Sequence, residues 1–308
     1  MIDSYATTTA DFETIIDYIR FGLSQAATSN LFYGHGTDNS LDEIVALVLG
    51  SLSLPFDCDP LYYQARLTSA EKLKIANGLS RRIIDKVPVP YLTNEAYFCD
   101  LPFYVDERVL IPRSSIAELI RQQFSPWIEA DKVERVLDLC TGSACIAIAC
   151  SHAFPDALID AVDISTDALA VAAINQERYG LQEVLTLIES DCWQKVPKVQ
   201  YDLIVSNPPY VGHEEMQTLP EEYLHEPQLA LETDNNGLAI VEKILANAHD
   251  YLSEQGILVV EVGASAEALI EAYPKVPFMW FDFEHGGSGV FLLTRQQLQA
   301  HFKSKVIK

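Results

Sequence analysis

The stretch RVLDLCTGSACIAIACSHAFPDALIDAVDIS, residues 135–165, decides the fold. It begins with the apolar run RVLDLCT, which is typical of a buried strand. A turn of small residues around Gly142 follows, and CIAIACSHAF then has the length and composition of an apolar helix. ALIDAVDIS, residues 157–165, predicts a second buried strand. A strand, a helix and a second strand in this order form the unit from which parallel sheets are built.

The alternation of strands and helices continues towards the end of the sequence. Five further runs have the character of strands: VLTLIESD (184–191), YDLIVSNP (201–208), GILVVEV (256–262), FMWFDFE (278–284) and GVFLLTR (289–295). The segments between the first five strands are long enough for helices, which predicts a doubly wound, mostly parallel, Rossmann-like α/β domain over residues 113–308. Only residues 285–288 join the last two runs, so we expect a C-terminal antiparallel hairpin.

Residues 1–87 carry helix signals and no good strand runs. Apolar side chains at positions 12, 15, 16 and 19 have helical spacing. Ser40 with Glu43, and Thr68 with Glu71, each have the pattern of a capping box at the start of a helix. These signals predict a small helical N-terminal domain.

Residues 88–112 differ in composition from the sequence before them. The segment YLTNEAYFCDLPFYVDERVLI is rich in aromatic and β-branched residues, and Asp100 and Pro102 mark a turn within it. We therefore expect a β-hairpin linker between the helical domain and the α/β domain.

The composition is that of a folded, acidic protein. Apolar residues make up 49% of the 308 residues, which is enough for a large core. The net charge of −23 repels phosphate backbones, so no direct DNA binding is expected. No apolar run reaches the length of a membrane span, and no basic residue precedes Arg20. We therefore expect a soluble cytoplasmic protein without a cleaved signal peptide.

The cysteine and histidine pattern gives no metal site. Six cysteines are present, and none forms a CxxC pair. Cys140, Cys145 and Cys150 lie in an apolar stretch, where buried reduced thiols are expected. His35, in GHGTDN, has no ligand partners near it in the sequence.

Three acidic side chains follow three of the predicted strands. Asp138 precedes the turn that contains Thr141 and Gly142, Asp163 ends the second strand, and Asp191 ends the third. Ligands of such sheets bind beyond the carboxyl ends of the strands, and an acid placed like Asp163 can hold ribose hydroxyls. Asp191 would then lie at the adenine end. Each feature alone also fits a tight turn, a surface acid or a helix cap, but together they favour a nucleoside site.

The glycine pattern narrows the choice of cofactor. Gly142 is the only glycine of the turn, so the dinucleotide pattern G-x-G-x-x-G is missing, and no lysine opens the following helix. Both facts argue for a nucleoside cofactor without a pyrophosphate. S-adenosylmethionine (AdoMet) fits, because its sulfonium is cationic and is compatible with nearby carboxylates.

The fourth predicted strand ends in Asn207-Pro208-Pro209-Tyr210. The two prolines fix the backbone and offer carbonyl acceptors without N–H donors. The amide oxygen of Asn207 is another acceptor, and the Tyr210 ring can pack against a planar group. This set suits a planar NH₂ group whose hydrogens are held by Asn207 and by the Pro208 carbonyl. Catalysis then rests on alignment with the sulfonium. A plain Pro-Pro turn is the alternative.

Together these features resemble class I AdoMet-dependent methyltransferases that act on exocyclic or amide nitrogens. The second half of the chain is similar to the protein-glutamine N5 methyltransferases in IPR (111–113), SNPPYV (206–211), HEP (225–227), NGL (236–238) and EVG (261–263). The first half resembles the branch of that family that methylates ribosomal protein L-three of the large subunit, in YGHGTDNSLDEIVALVL (33–49), RLTSAEK (66–72), PVPYLTNEAYFC (88–99) and FYVDERVLIPRS (103–114). The similarity covers nearly the whole chain.

The resemblance implies methyl transfer from AdoMet to N5 of a glutamine in this ribosomal protein, with a substrate-recognition role for the helical domain. It implies that Asn207, Pro208 and Tyr210 hold the substrate amide and that Arg113 supports the site. The implied cofactor-binding residues are Asp138, Thr141, Gly142, Asp163, Asp191 and Asn207. The family commonly has glycine where this chain has Ala144. Alanine adds only a methyl group, so we expect cofactor binding to survive this difference.

The segment that follows the fourth strand is acidic. No Lys or Arg occurs between Lys198 and Lys243, whereas nine acids do. This segment fits either a solvated loop face or a docking surface for a basic protein substrate.

Three other functions compete with this interpretation. The same reaction could act on peptide-chain release factors, but GHGTDN argues against it. DNA adenine-N6 methylation uses a similar motif on a flipped base, but the net charge argues against it. A non-enzymatic assembly factor could have lost AdoMet, but the presence of Asp163 and Asn207 argues against that.

Overall fold

The computed structural model describes residues 3–284 and 286–302. Contacts between Cα atoms divide the chain into two compact units. The first extends to Ala96 and includes Val105–Glu107 and Pro220–His225, and the second comprises Tyr97–Tyr104, Arg108–Leu219 and the chain from Glu226 onward. The predicted boundaries after residues 87 and 112 differ from these limits, and the three-domain division stays a prediction.

The first unit is helical. Its helices are α1 (Asp3–Thr8), α2 (Ile15–Ala26), α3 (Ser40–Ser51), α4 (Ser69–Ile83) and α5 (Val89–Thr93), with 3₁₀ turns at Pro60–Gln64 and Glu221–His225. Tyr18, Leu47 and Leu79 are buried in its core. Helix α4 begins as predicted, because Thr68 and Glu71 form a capping box. This arrangement places the apolar faces of α2, α3 and α4 in one cluster.

The predicted start of α3 is wrong by one residue. Asn39, and not Ser40, is the cap, because its side chain accepts a 2.9 Å hydrogen bond from the Asp42 N–H. Glu43 is therefore free of any capping role, and its buried carboxylate pairs with Arg82 instead.

The predicted hairpin is present as two short strands. They are β1 (Ala96–Phe98) and β2 (Leu101–Phe103), which pair with each other. Cys99 and Asp100 form the turn with φ angles of 49° and 64°. A two-residue turn with positive φ at both positions matches the twist of a tight hairpin.

The second unit contains a seven-stranded sheet in the order β5-β4-β3-β6-β7-β9-β8. Its strands are β3 (Arg135–Leu139), β4 (Leu158–Asp163), β5 (Leu185–Glu189), β6 (Tyr201–Ser206), β7 (Leu252–Glu261), β8 (Met279–Trp280) and β9 (Val290–Thr294). Strands β3 to β7 are parallel, and β9 pairs antiparallel with both β7 and β8. This topology confirms the doubly wound, Rossmann-like fold with its C-terminal antiparallel pair. Strand β8 is shorter than predicted, and His285 of the connecting loop lies outside the described residues.

Helices cover both faces of this sheet. The α-helices of the second unit are α6 (Ile116–Arg121), α7 (Cys145–Ala153), α8 (Thr166–Arg178), α9 (His213–Met216), α10 (Gln228–Leu231), α11 (Ala239–Tyr251), α12 (Ala266–Ala272) and α13 (Arg295–Phe302). Val136 packs in the cluster that contains α7, and its neighbour Leu137 packs in the cluster that contains α11. Within the described part of the chain, no helix has the length and hydropathy needed to span a membrane.

The strand order positions the site. The chain runs from β3 outward through β4 to β5, and then returns to β6 on the other side of β3. This reversal creates a crevice at the carboxyl ends of β3 and β6, where open α/β sheets bind their ligands. The turn after β3 and the loop after β6 therefore face the same space.

Candidate active site

A cleft opens at the carboxyl ends of the parallel strands. It brings together six residues predicted from the sequence: Arg113, Thr141, Gly142, Asp163, Asp191 and Asn207. Three other predicted residues, Asp138, Pro208 and Tyr210, are not part of its lining. Strands β3, β4, β5 and β6 thus each contribute to one concave site, as expected for a small-molecule pocket.

The turn after β3 has an unusual backbone. Cys140, Gly142 and Ala144 all adopt the left-handed conformation, with φ angles of 60°, 56° and 64°. For a residue with a Cβ this conformation costs about 1–2 kcal/mol. A Cβ at Gly142 would meet no atom within 4 Å, so the turn leaves open space on the cleft side.

Asp138 holds this turn from below. Its Oδ2 atom accepts hydrogen bonds from the Thr141 hydroxyl at 2.6 Å and from the Ala147 N–H at 3.2 Å. The side chain is completely buried, and burial raises the pKa of Asp138 to about 7. Its Oδ1 atom has no hydrogen-bond partner among the described residues. Asp138 therefore shapes the turn from inside the protein.

Asp163 joins the turns after β3 and β4. Its Oδ2 atom accepts from the Gly142 N–H and its Oδ1 atom from the Ser165 N–H, each at 2.9 Å. Burial raises the pKa of Asp163, while the hydrogen bonds from Ser165 and Gly142 oppose that rise. Because each carboxylate oxygen can accept more than one hydrogen bond, both oxygens keep capacity for a ligand.

Asp191 lies after β5 on the rim of the cleft. Its carboxylate accepts a hydrogen bond from Gln194 at 3.2 Å and pairs with Lys243 at 3.2 Å. The Lys243 side chain also lines the cleft, so this end of the site contains both charges.

The loop after β6 is fixed by different means. The Ser206 hydroxyl donates to the Leu139 carbonyl at 2.7 Å, which ties the end of β6 to the end of β3. Asn207 and Pro209 reach the cleft, whereas Pro208 is buried. The Tyr210 carbonyl accepts a 2.7 Å hydrogen bond from the Ser265 hydroxyl. The loop therefore presents oxygen acceptors on a backbone that prolines restrict.

Tyr210 packs beside the cleft. Its hydroxyl donates to Glu261 Oε1 at 3.4 Å, which is a weak hydrogen bond. Its ring lies on Gly263, where an added Cβ would come within 2.5 Å of the ring. Gly263 is thus required by close approach of the tyrosine.

Sequence reasoning missed Glu261 as a site residue. It ends β7, beside β6, and is buried. Its Oε2 atom accepts from the Ser114 hydroxyl at 2.6 Å and the Ser115 N–H at 3.1 Å. Burial raises the pKa of Glu261. The EVG motif quoted above contains this residue, and its place at a strand end was the signal that could have identified it.

Arg113 is held by a partner far along the chain. Its guanidinium forms two 2.6 Å hydrogen bonds with the Glu226 carboxylate, one to each oxygen. Glu226 also accepts a 3.0 Å hydrogen bond from the Ile111 N–H. This bidentate pair fixes the PR segment at the edge of the cleft.

The structure corrects the interpretation of the acidic segment between Lys198 and Lys243. Two of its nine acids cannot belong to a docking surface, because Glu222 and Glu226 are buried. Glu222 pairs with Arg82 at 3.1 Å inside the helical unit. Burial opposes ionisation of Glu222, but hydrogen bonds from the Phe32 N–H and from Arg82 keep its pKa below the usual value. The exposed acids are fewer than the sequence suggested.

His35 is buried and packs against aromatic rings. Its ring centroid lies 4.8 Å from that of Tyr223 and 6.3 Å from that of Phe32. In residues 3–284 and 286–302, no group of three or more His, Cys, Asp or Glu side chains could hold a metal ion.

The comparisons with known proteins agree with the fold and the cleft. The family described as Methyltransferase small domain matches residues 122–255, so the second unit belongs to a methyltransferase. A ribosomal protein uL3 glutamine methyltransferase of Neisseria meningitidis serogroup A is 49% identical over 289 residues, covering 94% of this chain and 95% of that protein. The protein of the same description from Neisseria gonorrhoeae is also 49% identical, with coverage of 94% and 96%.

The chain belongs to the family of ribosomal protein uL3 glutamine methyltransferases. This result confirms the resemblance inferred from the motifs. It supports neither the release-factor nor the DNA alternative. A solved methyltransferase from Pyrococcus furiosus is 16% identical with a TM-score of 0.46, covering 74% of this chain and 99% of that chain, and is too distant to add to the assignment.

Proposed function

We propose that this protein transfers a methyl group from AdoMet to the side-chain amide nitrogen of a glutamine in ribosomal protein uL3. The observation that carries the proposal is that Gly142, Asp163 and Asn207 line the same cleft. In a chain of this family, that cleft offers a nucleoside site next to a site for an amide.

The cleft residues fit AdoMet. The open space at Gly142 leaves room for the methionine portion beside the backbone of the turn. The remaining acceptor capacity of Asp163 suits two ribose hydroxyls. Asp191 would lie near the adenine, and Asp138 and Thr141 would keep the turn in shape. When bound, AdoMet supplies an electrophilic methyl group on a sulfonium.

The loop after β6 would hold the substrate amide. The Asn207 side-chain oxygen and the Pro208 carbonyl would each accept one N–H, and the Tyr210 ring would support the amide plane. Holding both hydrogens directs the nitrogen lone pair towards the methyl group, and alignment then supplies most of the rate increase. The methyl group would gain its bond to nitrogen as its bond to sulfur breaks, and one of the two N–H protons would then pass to solvent water.

The proposed partner is a basic protein, which suits a chain with a net charge of −23. The exposed acids Glu214, Glu221 and Asp234 remain candidates for docking. If they act so, raising the salt concentration should raise the KM for uL3, because salt screens exposed charges. A KM that is independent of salt would contradict this docking. The same charge argues against DNA, and a cytoplasmic location is consistent with a ribosomal substrate.

Methyl transfer from radiolabelled AdoMet to purified uL3 tests the proposal, with release factor and DNA as parallel acceptors. We expect label on uL3 alone, and its loss in Asn207→Ala. Asn77→Ala is a matched control, because Asn77 is exposed on α4 in the helical unit. Label on the release factor alone would support glutamine methylation by this protein and would contradict uL3 as its substrate.

A further inference from the structure

Asn175, on helix α8, is a completely buried polar residue that does not line the cleft. Asparagine is mostly exposed in folded proteins, and burial of an amide is unfavourable unless its polar atoms are hydrogen-bonded. The partners of Asn175 therefore indicate what this side chain does.

The Asn175 amide uses its acceptor and both of its donor hydrogens. Its Oδ1 atom accepts a 2.8 Å hydrogen bond from the Tyr104 N–H. Its Nδ2 atom donates to the Tyr104 carbonyl and to the Ser143 carbonyl, each at 3.0 Å. Asn175 thus joins the backbone that follows β2 to the turn that follows β3.

The two hydrogen bonds with Tyr104 fix the orientation of the amide. The backbone beside Tyr104 is itself held on α8, because the Tyr179 hydroxyl donates to the Pro102 carbonyl at 2.8 Å. The rings of Phe103 and Tyr179 also pack there, with 5.6 Å between their centroids. The remaining N–H of Asn175 is therefore directed at Ser143 by a rigid support.

The Ser143 carbonyl belongs to the cofactor turn and needs a hydrogen-bond donor. Ser143 is buried, lines the cleft and lies between two left-handed residues. Asp138 and Asp163 accept hydrogen bonds from N–H groups of this turn and of the helix after it. A carboxylate has no hydrogen to donate, whereas a carboxamide has two. Asn175 therefore supplies the donor that the acids of the site cannot.

We propose that Asn175 is a positioning residue for cofactor binding, which keeps the turn after β3 in the conformation that accepts AdoMet. The inference rests on the proposed function, because that function assigns AdoMet to this cleft. The left-handed backbone is unfavourable at Cys140 and Ala144, so the turn should relax when the Ser143 carbonyl loses its partner. If about a tenth of the molecules keep the competent turn, the AdoMet dissociation constant rises about tenfold.

Asn175→Ala in the full chain tests the proposal with two measurements. Without AdoMet, hydrogen exchange of the Gly142 and Ala144 N–H groups should be at least about tenfold faster than in the wild type. By calorimetry, the AdoMet dissociation constant should rise about tenfold or more. At saturating AdoMet, kcat should stay within about threefold of the wild type, because ligand binding restores the turn.

Gln176→Ala is the matched control for a merely structural role. Gln176 is the next residue of α8, and its side-chain amide also donates to a backbone carbonyl, that of Leu185, outside the turn. Its loss should lower the unfolding temperature without changing exchange in the turn or AdoMet affinity. If Asn175→Ala behaves in the same way, Asn175 only supports the fold and the proposal is wrong.

Asn175→Asp is the second variant and carries the test if the alanine variant does not fold. Aspartate has nearly the same shape and keeps an acceptor for the Tyr104 N–H, but the ionised side chain cannot donate to Ser143. At alkaline pH we expect it to speed exchange in the turn and weaken AdoMet binding as alanine does. Wild-type exchange and affinity in this variant would overturn the role of the Ser143 hydrogen bond.

Hydrogen exchange in the turn is measured without cofactor, so the two proposals can fail separately. Faster exchange in Asn175→Ala, in a protein whose wild type never binds AdoMet, would support the hold on the turn and overturn the proposed function. Unchanged exchange and AdoMet affinity would overturn the role of Asn175 even if methylation of uL3 proceeds.

Discussion

The turn after β3 and the loop after β6 face one crevice, but different interactions fix their backbones. In the turn, Cys140, Gly142 and Ala144 are all left-handed, and the acidic side chains of Asp163 and Asp138 accept hydrogen bonds from backbone N–H groups. In the loop, residues 207–210 have no positive φ angle, and prolines restrict the backbone. Hydroxyl groups hold its two ends instead: the Ser206 hydroxyl donates to the Leu139 carbonyl of β3, and the Ser265 hydroxyl donates to the Tyr210 carbonyl.

This difference shows how one crevice can combine a turn suited to close approach of a ligand with a loop suited to binding an amide. Left-handed residues let a ligand approach the turn closely, and the acids beneath it keep that backbone in place. Proline removes N–H donors, so the loop offers a substrate amide mostly acceptors. We therefore expect changes in the turn to affect cofactor binding and protein stability, and changes in the loop to affect turnover.

Asn207→Ala should give the largest effect. Loss of one of two acceptors for the substrate amide should lower kcat by about 100- to 1000-fold, the scale seen when one preorganised hydrogen-bonding group is removed. The AdoMet dissociation constant should change far less. Single-turnover kinetics and calorimetry measure the two quantities. A large loss of AdoMet affinity with little change in kcat would contradict this assignment, because it would place Asn207 in cofactor binding rather than in turnover.

Asp138→Asn should change the pH dependence of stability. The pKa of Asp138 is about 7 in the folded protein, against 3.8 for the free group. The unfolded chain therefore loses its proton first as pH rises, and stability falls between about pH 4 and pH 7, by up to about 4 kcal/mol. The variant cannot ionise, so relative to the wild type it should gain stability over this range.

Urea unfolding at pH 4 and pH 8 measures this effect in both proteins. Asp131→Asn, at an exposed position, is the matched control and should leave the pH dependence unchanged. Parallel pH profiles for wild type and Asp138→Asn would mean that Asp138 is ionised throughout and that the turn is held by a carboxylate.

Asp163→Asn should weaken AdoMet binding by about 10- to 100-fold, because the amide offers the ribose hydroxyls one acceptor oxygen in place of two, and a hydrogen bond to a charged group contributes about 1.5–3 kcal/mol. In the wild type the carboxylate accepts one hydrogen bond from the Gly142 N–H and one from the Ser165 N–H. In the variant the side-chain NH₂ would face one of these two donors and could not accept a hydrogen bond from it. At saturating AdoMet, kcat should recover most of its value. Asp167→Asn, exposed at the start of α8, serves as control, and equal affinity in all three proteins would remove Asp163 from the cofactor site.

Several of these features could be predicted from the sequence, because they depend on neighbours in the chain. Residues 135–165 predict strand, turn, helix and strand from local pattern alone, and the structure confirms each. The burial of Glu222 and Glu226 could not be predicted in this way. Their partners, Arg82 and Arg113, lie 140 and 113 positions away in the sequence. An acidic run is identical in sequence whether its charges are solvated or paired inside the protein.

The burial of Asp138 illustrates the same limit at the site. Its position before Gly142 indicates a ligand turn, but whether it contacts a ligand or supports the turn depends on its side-chain direction. Likewise, the aromatic run 278–284 has the composition of a full strand, but strand β8 is limited to Met279–Trp280, and Phe281 adds one backbone hydrogen bond to Val290 of β9. Composition predicts that such a residue or segment belongs to the fold. Tertiary contacts decide which way the residue's side chain points and how much of the segment pairs in the sheet.

Tyr210→Phe should have a smaller effect in the loop. It removes the hydroxyl that meets Glu261 at 3.4 Å, a length at which a hydrogen bond contributes only about 0.5–1.5 kcal/mol. We expect kcat to fall about three- to tenfold with AdoMet affinity unchanged. Tyr62→Phe, exposed in the helical unit, is the control. A fall comparable to that of Asn207→Ala would instead give the hydroxyl a direct part in the chemistry.

Ala144→Gly should have the smallest effect. It tests whether backbone conformation or packing of the Ala144 methyl group fixes the turn after β3. Glycine relieves the left-handed backbone, which costs about 1–2 kcal/mol for alanine. Against this, the unfolded chain gains entropy worth about 0.4–1 kcal/mol, and a completely buried methyl group is lost at about 0.8 kcal/mol. These contributions nearly cancel, so unfolding free energy and AdoMet affinity should both stay within about 1 kcal/mol of the wild type. Thermal unfolding and calorimetry measure them, and a loss of several kcal/mol would show that packing of the Ala144 methyl group, rather than backbone conformation, fixes this turn.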